Sequence, residues 1–188
     1  MTGAGSGRKG RLTIDGDGDG DGETATLVFE RVLNHSAAHV WEAISTPEGL
    51  REWLMCTEAR IDGRVGGTIE MVTGAAGYRS TGRILTWDPP RLLEYEWKVA
   101  PVPEMPHGED AVFRYQLDPR PDGSTAMTVT YRRITRQTAR GFLPGLHAFL
   151  DRLEAQLAGA PLPDWLARFG ALRPEYPEWS HDAAAATE

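Results

Sequence analysis

GRILTWDPPRLLEYEW, residues 82–97, sets two apolar runs on either side of an Asp-Pro-Pro corner. In the second run Leu93, Tyr95 and Trp97 alternate with Glu94, Glu96 and Lys98. Successive residues of a strand face opposite sides of a sheet, so one face here is aromatic and the other charged. The alternation returns downstream, where Phe113, Tyr115 and Leu117 oppose Arg114, Gln116 and Asp118. It recurs where Met127, Val129 and Tyr131 oppose Thr128, Thr130 and Arg132. Turn residues cut these runs apart: glycines between 63 and 67 ahead of TIEMV, Asp88-Pro89-Pro90, and Pro121-Asp122-Gly123. This is the pattern of antiparallel strands consecutive in sequence, and between Ile61 and Tyr131 it predicts four of them.

Upstream, TATLVFERVL (24–33) is rich in β-branched and aromatic residues and predicts a further strand, which with the four makes a curved sheet. Ser36 is placed to cap a short helix, AAHVWEAI, in which Val40, Trp41 and Ile44 share a face. Thr46-Pro47-Glu48 starts a second short helix running through Leu50, Trp53 and Leu54. After Thr135, Phe142, Leu146, Phe149, Leu150, Leu153 and Leu157 recur at helical spacing until Gly159, with Pro161 just beyond. This predicts a last amphipathic helix of about five turns. Pro144 is expected close to its start, where a kink would open one end of a cavity beneath. The fold class expected is α+β.

The flanks differ in composition. Residues 1–23 are expected to be a flexible tail, Gly- and Ser-rich to about residue 11, then an acidic repeat of Asp15, Asp17, Asp19 and Asp21 alternating with glycines. The repeat fails as a calcium loop, because the twelfth position counted from Asp15 or Asp17 is Thr26 or Val28 rather than Glu. A domain over 24–160 follows, and 161–188 forms an aromatic extension, broken by Pro174 and Pro177, that predicts a short helix and an arm. The formal charge of -7 argues against nucleic acid or an anionic membrane as partner, since both recruit Lys and Arg. Cys56 is the single cysteine, so no intrachain disulfide forms, and its expected role is structural. Neither a basic-then-apolar leader nor a long apolar run is seen, and the expected compartment is the cytoplasm.

VWEAISTPEGLREW (40–53), the Gly66-Gly67 pair before a strand, the 82–97 segment and the Gly123 turn before TVTY together resemble the START/SRPBCC superfamily. The branch they are most similar to is the bacterial one named after activators of the large heat-shock chaperone ATPase. The resemblance spans about Leu27 to Gly159. It implies a helix-grip fold, a curved antiparallel sheet wrapped around a long C-terminal helix with two short helices after the first strand. It also implies a cavity between sheet and helix and a soluble monomer or dimer, but no single activity. Members include lipid carriers, polyketide cyclases, hormone receptors, chaperone activators and proteins that protect an antibiotic producer from its own product. Where the family has Gly-Trp at the start of the last helix, this chain has Gly141-Phe142.

No nucleophile elbow, phosphate loop or Walker-type motif is present. His35 and His39 have zinc-helix spacing, but His35 precedes the Ser36 cap and no third ligand is at hand, so no metal is expected. His107, Glu109 and Asp110 cluster around Gly108 in what reads as a solvated loop. No catalytic residue and no cofactor is assigned. The expected ligand-binding set is the aromatic inner face with its neighbours: Trp53, Met71, Tyr78, Tyr95, Trp97, Phe113, Tyr115, Tyr131, Phe142, Leu146 and His147. His147 is the polar candidate, one residue past the apolar stripe. The function expected is binding and sequestration of a hydrophobic or aromatic small molecule. A composition rich in Ala, Arg and Gly suits a secondary metabolite and a self-resistance role; in one variant a reactive ligand is quenched at an exposed Gly108. The alternatives are a polyketide cyclase-like or hydrolytic enzyme using His147, His107 and a tyrosine, and a chaperone-activating interaction module.

Overall fold

The computed structural model describes residues 8–15, 24–74, 77–103 and 105–176. Its elements run β1 (Arg11–Asp15), β2 (Thr24–Leu33), α1 (Ala37–Ser45), α2 (Pro47–Trp53), β3 (Glu58–Ile61), β4 (Thr68–Thr73), β5 (Tyr78–Asp88), β6 (Leu92–Val99), β7 (Glu109–Pro119), β8 (Thr125–Thr135), α3 (Arg136–Leu157) and α4 (Trp165–Leu172). One eight-stranded sheet has the order β1-β2-β8-β7-β6-β5-β4-β3, with every neighbouring pair antiparallel. The long helix α3 follows the sheet, as the helix-grip pattern requires.

The capping chemistry works as its residue types dictate. The Ser36 and Thr46 side chains accept from the backbone N–H of His39 and Gly49, and Pro47 opens α2. Thr135 caps α3 through Thr138, and Gly159 ends it with φ +63. The indole of Trp53 donates to the Ala43 carbonyl at 2.9 Å, which fixes α2 against α1.

Two bulges shape the sheet. The β5–β6 register slips between Ile84 and Thr86, which turns Leu85 outward and brings Trp87 into edge contact with Trp41 at 5.1 Å. The β2–β8 register slips beside Arg133, a non-glycine residue at φ 60, just before the chain turns into α3.

Three expectations need correction. The sheet has eight strands rather than five: the stretch read as four strands holds five, β4 to β8, and β3 and the edge strand β1, of four and five residues, alternate over too short a length to register as strands. β1 falls within the stretch read as a tail, yet it pairs with β2 from Arg11↔Val28 to Asp15↔Thr24. The rest of the acidic repeat lies outside the described residues. Pro144 does not sit near the start of α3 but well inside a helix beginning at Arg136, where its missing N–H leaves the carbonyl four residues back without its helical donor. The face of α3 turned to the core carries Ala139, Leu143, Leu146, Leu150, Leu153 and Leu157, while Phe142 and Phe149 lie at its margins, half-buried. On the outer side, α4 covers Phe149 and Gly145 with Trp165 and Phe169, whose rings stack at 5.0 Å.

Candidate functional site

The inner face of the sheet beneath the first half of α3 is an aromatic wall. Register aligns Tyr95 with Phe113 and Phe113 with Tyr131, and sets Trp97 opposite the small Ala111. Trp97 and Tyr131 meet edge to face at 5.3 Å, and Phe142 from α3 closes on both, at 5.5 Å and 5.7 Å. Phe113 lies 4.7 Å from Tyr131 and 5.0 Å from Tyr115, and stacks on Tyr95 at 5.8 Å. Edge-to-face and offset arrangements match positive ring edges to negative faces. Burial raises the pKa of all three tyrosines, so each is a neutral phenol.

Their hydroxyls are not equivalent. The Tyr95 and Tyr115 hydroxyls are near enough to influence each other's ionisation. Tyr131 is fully buried, and its hydroxyl has no partner among the described residues; the same is true of the Ser80 hydroxyl on β5. Ser80 pairs with Met71 on one side and Val99 on the other, two residues along β6 from Trp97. Val99 in turn borders an open recess of about 410 Å³, whose lining also includes Tyr78, Arg79, Ala100, Val102 and Pro103. The structure thus brings Tyr95, Trp97, Phe113, Tyr115, Tyr131 and Phe142 into one cluster, with Met71 buried on β4 and Tyr78 at the recess.

Trp53, Leu146 and His147 are placed differently. Trp53 is fully buried at the α1–α2 junction, with its donor already used. Leu146 belongs to the core-facing stripe of α3. His147 turns toward β2 and the C-terminal arm: its ring meets Phe29 edge on, Nδ1 lies 2.7 Å from the Tyr176 hydroxyl, and Nε2 lies 3.6 Å from an Asp151 oxygen. Burial, opposed by Asp151 and reinforced by Arg31, Arg168 and Arg8, pushes its pKa down to about 4. Asp151 binds Arg8 and Arg168 as well, and Glu154 binds Arg8 and the buried Arg31. This charged network joins the N-terminal segment, β2, α3 and α4. Sequence periodicity cannot find it, because its partners are far apart in the chain.

The loop around Gly108 is not solvated throughout. Glu109 is buried and accepts from both the backbone N–H and the hydroxyl of Thr135, at 2.9 Å and 3.0 Å, at the entry to α3. Gly108 is buried too, with φ +67 and its missing Cβ only 2.4 Å from the Val99 carbonyl, so it is no exposed target for a reactive ligand. His107 is exposed. The His35 and His39 rings do meet, edge to face at 5.1 Å, despite the intervening cap. Among the described residues, no group of three or more His, Cys, Asp or Glu is arranged to hold a metal ion. Cys56 is buried, which pushes its thiol pKa up to about 12 and keeps it a poor nucleophile. No described helix is long and apolar enough to cross a membrane.

A family model described as Activator of Hsp90 ATPase homolog 1-like protein matches residues 34–158. Among solved structures, the chain is similar to CalU16 from Micromonospora echinospora, with 20% identity over 92% of this chain and 98% of that one and a TM-score of 0.68. It is similar to MLL2253 from Mesorhizobium loti, with 25% identity over 73% and 99% and a TM-score of 0.62. It also resembles a protein encoded by BPP1335 from Bordetella parapertussis, with 22% identity over 94% of each chain and a TM-score of 0.62. No curated protein matches the sequence.

Proposed function

Because this chain belongs to the family of Activator of Hsp90 ATPase homolog 1-like proteins, we propose that it binds and sequesters a hydrophobic or aromatic small molecule against the aromatic wall beneath α3. The observation that carries this reading is the Trp97–Tyr131–Phe142 trio, in which one ring, Phe142, is only half-buried and belongs to a different element. A core closed for stability alone has no need of an orphaned phenol at its centre, whereas a ligand site combines apolar walls with a few polar tips. Entry requires Phe142 to move. Gly141, Pro144 and Gly145 make that part of α3 the least firmly helical, since Gly and Pro are the poorest helix formers.

Covering ~300 Å² of apolar ligand surface at about 25 cal/mol per Å² gives roughly 7 kcal/mol before association costs, which corresponds to micromolar affinity at best. The role we assign is protection of the cell from a bulky secondary metabolite by holding it out of solution. Native mass spectrometry and a thermal-shift screen against polyaromatic and polyketide-like compounds test the reading. Stabilisation by such compounds that vanishes in Trp97→Ala and Phe142→Ala supports it. The absence of a shift with any class, alongside recovery of a chaperone on the immobilised protein, would sink it.

A further inference from the structure

The three tyrosines of the wall are not equally placed. Of the three, Tyr131, between Phe113, Trp97 and Phe142, is the one whose hydroxyl is buried with no partner among the described residues, and no part of it reaches solvent. A buried hydroxyl without a partner costs free energy that an apolar side chain of the same shape would not, since Phe fills the same space. Phenol is also a one-sided group: its oxygen lone pairs are drawn into the ring, which makes it a better donor than acceptor.

Resting on the pocket reading above, we propose that the ligand is an uncharged, flat, unsaturated molecule bearing a ketone- or quinone-type oxygen, and that Tyr131 selects it by donating a hydrogen bond to that oxygen. The rings around Tyr131 suit a flat π-system, which they can meet face on or edge on. A carboxylate in place of the carbonyl is disfavoured, because the charged group acting most strongly on Tyr131 is Glu109, held in place by Thr135. The neutral acceptor therefore belongs beside Tyr131 and the hydrocarbon part against Trp97 and Phe142.

The test uses the full chain and two probes of nearly the same shape, 2-acetylnaphthalene and 2-ethylnaphthalene, titrated against the wild type, Tyr131→Phe and Trp97→Ala. In Tyr131→Phe the affinity for the ketone is expected to fall about five-fold relative to that for the hydrocarbon, the size of one neutral hydrogen bond, while Trp97→Ala weakens both. An unchanged ketone-to-hydrocarbon ratio in Tyr131→Phe, with both probes still bound and both weakened by Trp97→Ala, overturns the role of Tyr131 and leaves the pocket standing. If neither probe binds the wild type, the pocket reading fails and this inference fails with it. A measurement on the wild type alone guards against a misfolded variant: the carbonyl stretch of bound 2-acetylnaphthalene is expected at lower wavenumber than in hexane, and an unshifted stretch overturns the assignment.

Discussion

The Tyr176 hydroxyl lies 2.7 Å from Nδ1 of His147, and the same oxygen accepts the backbone N–H of Gly10 at 3.0 Å. The oxygen accepts from Gly10 and shares a second hydrogen bond with Nδ1, while Nε2 faces Asp151 at 3.6 Å. One hydroxyl thus ties the start of the chain, the middle of α3 and the C-terminal arm together. Tyr176→Phe leaves the buried His147 Nδ1 and the partly buried Gly10 N–H unpaired and is expected to cost about 1–3 kcal/mol. Urea unfolding reads the loss, and hydrogen exchange should locate it in β1 and the arm. Unchanged protection of residues 11–15 would show that β1 is held by its pairing with β2 alone.

The same histidine makes stability depend on pH. Its folded pKa, about 4, lies below the ordinary value of 6.5, so as pH falls the unfolded chain takes up the proton first. The contribution is fully present above about pH 6.5 and is lost as pH falls through about 4, with a size on the order of 3 kcal/mol. The charged groups facing the ring are Asp151 on α3, Arg31 on β2, Arg8 before β1 and Arg168 on α4. Asp151 adds a loss of the same sign at lower pH: burial raises its pKa, but Arg168 and Arg8 outweigh burial and hold it below the ordinary carboxylate value. His147→Gln should flatten the stability profile between pH 6.5 and 4 and leave the more acidic limb in place. An unaltered profile, measured by urea midpoints across that window, would refute the assignment.

Two glycines separate backbone conformation from crowding. Gly66 has φ +78 with open space, nothing within 4 Å, where a Cβ would stand, whereas Gly108 has φ +67 and a carbonyl at 2.4 Å from that point. Gly66→Ala should cost about 1–2 kcal/mol, the strain of a left-handed L-residue. Gly108→Ala must in addition push the β6 end away and should cost clearly more. Thermal unfolding of the two variants gives the order directly, and equal losses would contradict the close approach at Val99.

Much of this architecture is legible in the sequence because it is written in short-range patterns. The alternation of Leu93, Tyr95 and Trp97 marks an inner face, and Ser36 and Thr46 mark helix starts before any fold is known. β1 escapes because Arg11–Asp15 alternates over only five residues between Gly-rich stretches and gains its partner only when β2 is beside it. The aromatic wall can be anticipated as a set, but which tyrosine lacks a partner depends on cross-strand geometry that periodicity does not contain. His147 shows the limit most clearly: its position one residue off the stripe is visible in the sequence, while the partner that decides its orientation is 29 residues away on an arm of mixed composition.

The two rings that close the proposed site should differ in what they do for the fold. Trp97 is 7% exposed and packs against both Tyr131 and Phe142, so Trp97→Ala should cost about 3–5 kcal/mol as a core truncation. Phe142 is half-buried on a stretch of α3 weakened by Gly141 and Pro144, and its removal opens space that water already borders. Phe142→Ala is expected to cost less than about 2 kcal/mol while abolishing stabilisation by aromatic ligands as completely as Trp97→Ala. A small stability loss coupled to a large binding loss marks a wall that moves for its ligand. If Phe142→Ala destabilises as much as Trp97→Ala and binding is untouched, the ring is core, and the aromatic face serves packing alone.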